Sequence, residues 1–327
     1  MTYSVAIRTL GLSPDTLRKV LEGVFAQTLP PARVVVYIAK GYTIPSWRVG
    51  NEQYVSVDKG MMRQRSLQYR EIDSDYILML DDDLLLSLTA ASSLIAKASA
   101  ENTDVIAADP FKNHKLSLKD KLYAGITALV FPHIRGKKAF TQHSNGSFSY
   151  IRNPQPRFYK SDTCAGPIML WRRNSFSSLN ADVESWIDTL GYPYSEDALL
   201  SYKATANGMK VGVDFSVEVT NLDSRTSSDR YRNDPERFYI RTKAMFSTWW
   251  RMCYKPHGNA SKGSTKALLA GTFKFTWLVP VMLATSVVSR STTPIRAYFR
   301  GLRDGYRYVH SEPFSSLPPY IIEKTFD

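Results

Sequence analysis

Cysteine is scarce in this sequence. Its 327 residues include only two, Cys164 and Cys253, far apart and outside any Cys-x-x-Cys pair. That excludes a disulfide framework and a zinc ribbon, and it reads as two reduced cytosolic thiols. Glycine and proline stand at 17 each, too few for a collagenous or disordered chain. No internal repeat or low-complexity tract is visible. No charged leader followed by an apolar run opens the sequence, so secretion is not expected. What remains is a chain long enough for one large domain, or a domain with an appendage, around a full core.

Charge is unevenly spread. The net charge is +12, yet residues 1–224 hold 25 Lys and Arg against 23 Asp and Glu, whereas residues 225–327 hold 17 against 7. A near-neutral body thus carries a basic tail. Such asymmetry implies an anionic partner: nucleic acid, an acidic membrane surface or a phosphorylated ligand. The alternative is a solvated basic face.

Apolar patterning predicts strands and helices in alternation. Val5-Ala6-Ile7 is a strand that ends at Arg8-Thr9. Ser13 and Pro14 open an amphipathic helix over 14–28, with Leu17, Val20, Leu21, Val24 and Phe25 on one face. Val34 to Ile38 reads as a strand buried on both faces. A third strand follows at Tyr54–Val57 and a helix from Met61 to Ile72. Tyr76 to Leu80 is a fourth strand, closed by Asp81-Asp82-Asp83. Further elements are a helix near 88–100, a strand at 104–108, a strand at Ile168–Trp171 and a helix at about 196–207 stopped by Asn207-Gly208. This alternation predicts an α/β fold with a mostly parallel central sheet flanked by helices. Ligands of such sheets sit beyond the carboxyl ends of the strands, where Arg8-Thr9 and Asp81 to Asp83 both fall. Residues 111–163, with Lys112, Lys115, Lys119, Lys121, Arg135, Lys137 and Lys138, read as an insertion that shapes a substrate site.

Two acidic clusters carry the chemistry. Three carboxylates after an apolar strand repel one another and call for a cation. Oxygen-only ligands favour Mg²⁺ or Mn²⁺. The competing reading is a solvated loop, or a helix-end charge cluster. Glu196-Asp197 opens a helix and serves as an N-terminal cap on the plainer reading. On the other it holds a general base, which takes the proton of an attacking hydroxyl and is worth roughly 10²–10⁴ in rate. One site for a metal and another for a base divide the labour of a transfer from a diphosphate.

The order of these segments resembles a family 2 glycosyltransferase of the GT-A (Rossmann-like) fold over about residues 3–225. It is similar to bacterial members that build surface polysaccharides. The landmarks are Ile7-Arg8-Thr9, Gln27-Thr28, Lys59 to Arg65, Leu80-Asp81-Asp82-Asp83, Gly166-Pro167 to Arg172-Arg173 and Glu196-Asp197. The tail segment Phe299 to Gly305 adds a further likeness. The resemblance implies an inverting, metal-dependent transfer from a nucleotide-sugar donor to a glycan or lipid-linked acceptor. It implies that Arg8, Thr9, Ala39, Gly60, Arg65, Asp81 and Asp82 line the donor. Asp83 with Asp81 would take Mg²⁺ or Mn²⁺. Asp197 would be the base with Glu196 beside it, and Gly166 and Trp171 would lie on the acceptor side. The chain departs from the family in three places. Tyr37 to Gly41 lacks the usual Asp, Ser66 replaces an Asn, and Thr220-Asn221-Leu222-Asp223 lacks a His, with Asn221 or Asp223 as substitutes.

Residues 267–288 form an apolar run with one charge, Lys274. A helix of this length is roughly 33 Å, enough to span. However, Lys274 would cost about 2.5–3.5 kcal/mol near a bilayer centre. Flanking Lys262, Lys266, Arg290, Arg296, Arg300, Arg303 and Arg307 favour peripheral attachment to the cytoplasmic face of an anionic membrane. The plainer reading is a helix packed on the catalytic body. The expected division is therefore a catalytic domain over 1–224 and a basic helical region over 225–327. Three other functions compete, the first a membrane-bound scaffold with an inactive transferase fold, which the intact Asp83 and Asp197 argue against. Asp81-x-Asp83 also resembles the nucleophile motif of haloacid-dehalogenase phosphotransferases, but that motif follows the first strand and continues to Thr or Val. A basic nucleic-acid binder lacks any helix-turn-helix, zinc-finger or RNA-recognition signature here, so no nucleic-acid partner is expected.

Overall fold

The computed structural model describes residues 1–111, 137–151, 153–192, 194–222 and 236–322. The lysines at 112–121, Arg135 and Asp223 lie outside these. The strands in chain order are β1 (Tyr3–Thr9), β2 (Arg33–Ala39), β3 (Gln53–Val57), β4 (Tyr76–Asp81), β5 (Leu84–Leu86), β6 (Val105–Ala107), β7 (Phe140–Gln142), β8 (Phe148–Tyr150), β9 (Phe158–Ser161), β10 (Ile168–Arg172), β11 (Val211–Asp214) and β12 (Val219–Asn221). Among the described residues, eight of them form one sheet in the order β3-β2-β1-β4-β10-β6-β11-β9. The pairings β3-β2, β2-β1, β1-β4 and β6-β11 are parallel. Only β10 and β9 run against the rest.

Side chains alternate between the two faces of the sheet, as strand geometry requires. Val5, Ile7, Val34, Val36, Leu78 and Leu80 pack on one side against Leu17, Val20, Leu21 and Val24 of helix α1 (Pro14–Phe25). The same core takes in Leu94, Ile95 and Ala98. Ala6, Val35, Tyr37, Ile77, Met79 and Met169 pack on the other. Both faces are covered, which is why these strands are apolar throughout.

Short helix α2 (Met61–Arg65) ends well before Ile72. The reason is Tyr69, which adopts φ 45°. Its hydroxyl donates to the carbonyls of Gln64 and Arg65 at 3.2 Å each and so closes the turn. Helix α3 (Ala90–Ala100) and α4 (Arg173–Ser177) follow, then a 3₁₀ helix over Ala181–Leu190 and α5 (Glu196–Ala206). The C-terminal helices are α6 (Arg237–Trp249), continued by a π turn over Trp250–Tyr254, then α7 (Thr265–Val288), α8 (Thr293–Val309) and α9 (Glu312–Ser315).

The C-terminal helices share the core of the body. Trp249, Phe275, Leu278, Tyr298 and Tyr320 belong to the same buried cluster as Met79 and Leu199. A fully buried ion cluster fastens the two. Arg251 donates to Glu184 through Nε at 3.0 Å and Nη2 at 2.8 Å, and Lys203 Nζ donates to Glu184 at 2.8 Å. Trp186 Nε1 adds a fourth bond at 2.8 Å. Burial opposes the charge on Glu184, yet Arg251 and Lys203 hold its carboxyl below the ordinary range. Lys203 lies on α5, and Tyr320 donates to the α5 carbonyl of Leu199 at 2.6 Å. Residues near the end of the chain thus hold the helix that opens with Glu196-Asp197.

Among the described residues, α7 is the one helix long and apolar enough to cross a membrane by length and composition. One side of it is embedded in the protein. Lys274 is 1 % exposed and donates to the Asn145 carbonyl at 3.1 Å. Burial pushes its ammonium down to about 8.

Candidate active site

The site is built at the carboxyl ends of β1 and β4. The parallel register places Arg8 opposite Asp81. Arg8 Nη2 donates to Asp81 Oδ1, and one residue further Thr9 Oγ1 donates to Asp82 Oδ2. Arg65, from the end of α2, reaches the same place. Its Nη2 donates to Asp81 Oδ2 at 3.3 Å and its Nη1 to Glu196 Oε1. Asp81 therefore spends both oxygens on two buried guanidinium groups. Gln64 ties the strand ends together by donating to the carbonyls of Thr9 at 3.2 Å and Tyr37 at 3.1 Å.

Gly166 links this network to the second acidic cluster. Its carbonyl accepts from Arg8 Nη2 at 3.2 Å, and its N–H donates to Asp197 Oδ2 at 3.2 Å. The other Asp197 oxygen accepts from the Ala198 N–H at 2.8 Å. One backbone donor from the first turn of the helix and one from the segment before β10 stabilise the carboxylate. A side chain at 166 has no room: a Cβ there would lie 2.7 Å from the Asp197 Cβ and 3.1 Å from the Arg65 guanidinium. Ser195, just before the acids, sits in the left-handed region at φ 66°. Strain of this kind in a non-glycine residue is concentrated at functional sites.

The two acids differ in setting. Glu196 is buried and bound to Arg65, whereas Asp197 is half-buried. Burial pushes the Glu196 carboxyl up to about 7, against the pull of Arg65 and with Asp197 adding to the rise. Arg65 stays a firm cation, because Asp81, Glu196 and Asp197 outweigh its burial. Burial thus governs Glu196, whereas the three nearby carboxylates govern Arg65. Burial and the neighbouring acids raise Asp82 to about 6, against its bond from Thr9.

Eight expected residues thus converge in one connected network: Arg8, Thr9, Arg65, Asp81, Asp82, Gly166, Glu196 and Asp197. Asp83 stands beside them, half-buried in the turn to β5, its carbonyl accepting from the Leu222 N–H at 2.7 Å. Asn221 lies across from Leu84 in the β5–β12 pair. Four expected residues have other surroundings in the structure. Asp81, expected to share a metal with Asp83, is engaged by two arginines instead. Arg8, expected on the donor, is buried against Asp81 and Gly166. Ala39 ends β2 at the same rim, but its side chain is fully buried. Trp171, expected on the acceptor side, lies fully buried in the core with its ring 5.1 Å from that of Phe176. The reason is direction: β10 is antiparallel to β4, so Ile168 pairs with Leu80 at the rim while Trp171 pairs with Ile77 deep in the sheet.

Other residues join the site from outside the expected set. Asp188 accepts from the N–H groups of Met62 at 3.0 Å and Arg63 at 2.9 Å, capping α2 and so fixing Arg65. Gly60 serves that contact, since a Cβ there would lie 2.3 Å from Asp188 Oδ2. Tyr192 is half-buried near both acids, and burial and Glu196 raise its phenol. Neither has a signal in the sequence, because an acid in an amphipathic segment and a lone Tyr are commonplace.

No family model and no curated protein sequence matches the chain. Solved structures do. TarS of S. aureus aligns with a TM-score of 0.52 at 12 % identity, over 97 % of this chain and 50 % of that one. The chain therefore spans about half the length of that structure. A structure of S. aureus TarS 1–349 in complex with UDP aligns at a TM-score of 0.48 and 13 % identity, over 95 % and 93 % of the two chains. GalNAc-T7 with UDP, GalNAc and Mn²⁺ aligns at 0.48 and 14 %, over 89 % and 59 %. At such identity the likeness speaks to architecture alone: with its large central sheet flanked by helices, the chain has the GT-A glycosyltransferase fold.

Proposed function

We propose that this chain is an inverting glycosyltransferase. It would move a sugar from a nucleotide-sugar donor to a hydroxyl of a glycan or lipid-linked acceptor, in the synthesis of a bacterial surface polysaccharide. The observation that carries the reading is Asp197: a half-buried carboxylate held by two backbone N–H groups and joined through Gly166 to the acidic turn at the strand ends. In this reading an acceptor hydroxyl gives its proton to Asp197 as its oxygen bonds to the anomeric carbon. The bond from that carbon to the diphosphate breaks on the opposite face. Gly166 and Ala198 fix the direction of the carboxylate. Arg65 and Arg8 hold Asp81 and Glu196 in place beneath it, so their role is positioning. The aspartyl phosphotransferase reading loses ground, because Asp81 is bound by two arginines instead of being poised to attack.

A divalent ion suits the donor set in part. Among the described residues no three of His, Cys, Asp and Glu gather as a metal site. Mg²⁺ commonly takes one or two carboxylates and completes its shell with phosphate oxygens and water. Asp83, a hard oxygen ligand in the turn after β4, is the residue that would hold it. When bound, the ion would offset charge growing on the departing diphosphate.

Thermal melting of the protein with a panel of nucleoside diphosphates, with and without Mn²⁺, tests this. A rise is expected only with both present, near 3 kcal/mol of stabilisation (about 2.7) at a hundredfold excess over Kd. Asp83→Asn should lose it. A panel without any shift, or a shift unchanged in Asp83→Asn, would contradict the assignment.

A further inference from the structure

The C-terminal helices leave a surface that the transfer reaction does not use. Helix α7 buries Ala267, Gly271, Lys274, Phe275, Leu278, Val281 and Met282. Its opposite side carries Leu269, Phe273, Leu283 and Val287, which are 67 %, 50 %, 50 % and 77 % exposed. At 3.6 residues per turn these fall in one stripe. The residues between them on that side, Thr272, Thr276, Pro280 and Ala284, are exposed and uncharged. From Leu268 to Val288 the stripe is about 30 Å long. An apolar patch of this extent on a soluble protein marks an interaction surface.

The neighbouring helix supplies charge. Arg296, Arg300, Arg303 and Arg307 recur along α8 at helical spacing, and all four are exposed. They lie opposite Gly301 and Gly305, which pack on α6: a Cβ at these positions would lie 2.8 Å from the Thr242 Cβ and 3.1 Å from the Phe246 Cβ. Helix α7 is seated on the end of α6 in the same way, because a Cβ at Gly271 would lie 2.3 Å from the Trp249 indole. The two helices form a hairpin tied by the Tyr298 hydroxyl to the Phe275 carbonyl at 2.5 Å and by the Ile295 N–H to Ser286 Oγ at 3.2 Å. By helical spacing the stripe of α7 and the α8 arginines lie opposite the glycines that meet α6, with the Arg300 guanidinium over the Tyr239 ring at 4.3 Å. Residues 265–309 hold seven Lys and Arg against one acid, Asp304. Arg300 pairs with Glu236 and Arg303 with Asp304. Exposed pairs of this kind are weak enough for a lipid phosphate to compete.

We propose that the α7–α8 hairpin is a docking surface for an anionic phospholipid bilayer. The apolar stripe of α7 lies in the plane of the interface, at the boundary of headgroups and acyl chains. The α8 arginines, with exposed Lys266 and Arg290 at the two ends of α7, meet the lipid phosphates. The helix does not span. Crossing would pull Lys274 from its bond to Asn145 and Gly271 from Trp249. Nor does a second copy of the chain cover the stripe, since pairing would bring two basic surfaces together.

The test uses the full chain and needs no turnover, so it stands or falls apart from the transferase reading. The protein is sedimented with vesicles of phosphatidylcholine, with or without a third of phosphatidylglycerol. Binding is expected to the anionic vesicles and to weaken with salt. Arg296→Ala and Arg307→Ala should each reduce it about fivefold. Leu269→Asp combined with Val287→Asp should abolish it, with the melting temperature unchanged because both sites are exposed. Equal binding to phosphatidylcholine alone, or no vesicle binding, would overturn the proposal. So would resistance to an alkaline wash, which marks a spanning helix, or a dimer in light scattering that the double variant dissolves.

Discussion

Gly166→Ala puts one methyl group where the two acidic clusters meet. Its Cβ would stand 2.7 Å from the Asp197 Cβ and 3.1 Å from the Arg65 guanidinium. Carbon atoms are comfortable at about 3.5–4.0 Å, so Asp197 must retreat by about 1 Å. The surroundings resist, because Arg65 is held at Glu196 and Asp81 and α5 is held by Lys203 and Tyr320. Overpacking of this kind costs about 1–3 kcal/mol of stability. A displacement of 1 Å in a reacting group costs about 10² in rate. The variant should therefore fold with a lowered melting temperature, bind donor normally and turn over about a hundredfold more slowly. The assay pairs donor titration by calorimetry with release of nucleoside diphosphate at saturating acceptor. Wild-type turnover in a folded Gly166→Ala would refute the claim that this glycine sets the position of Asp197.

Two further variants probe the buried charges. Glu184→Gln leaves Arg251 and Lys203 without a counter-ion in the core, so stability in urea should fall by about 3–5 kcal/mol; a loss under 1 kcal/mol (about the size of a surface effect) would show that the cluster does not fasten the C-terminal helices. Glu196 has a folded-state pKa of about 7, above its ordinary 4.5. Its protonated form is thus favoured by folding, and the stability it contributes is full below pH 4.5 and lost as pH rises through 7. Glu196→Gln lacks that loss, so from pH 4.5 to 8 it should gain on the wild type by about 3 kcal/mol. Parallel pH profiles in melting experiments would contradict the assignment of that shift to Glu196.

Much of the frame was legible because burial on both faces leaves a plain mark. Val34 to Ile38 and Tyr76 to Leu80 are continuous apolar runs, and both are buried strands. The acid pair at 196–197 opens a helix, and Asn207-Gly208 ends it, with Gly208 at φ 80°. Periodicity states which residues are buried, not which neighbours they meet. The Arg8–Asp81 pair joins residues 73 apart through a strand register. Asp188 caps α2 from 126 residues away. The direction of β10, which sends Gly166 to the rim and Trp171 to the core, is likewise a property of the assembled sheet. Lys274 interrupts an apolar run as a charge would on a solvated face, yet it is buried and donates to the Asn145 carbonyl at 3.1 Å. Composition gave the basic tail but not its attachment, which rests on Glu184, an acid of the body.

Asp197→Asn is the most direct measurement. The amide keeps the shape of the carboxylate and removes its power to take a proton. Donor affinity should stay within a factor of two or so, while the rate of transfer to acceptor falls by roughly 10²–10⁴. A variant that transfers sugar within a few fold of the wild-type rate would contradict the account, because another group would then be receiving the acceptor's proton.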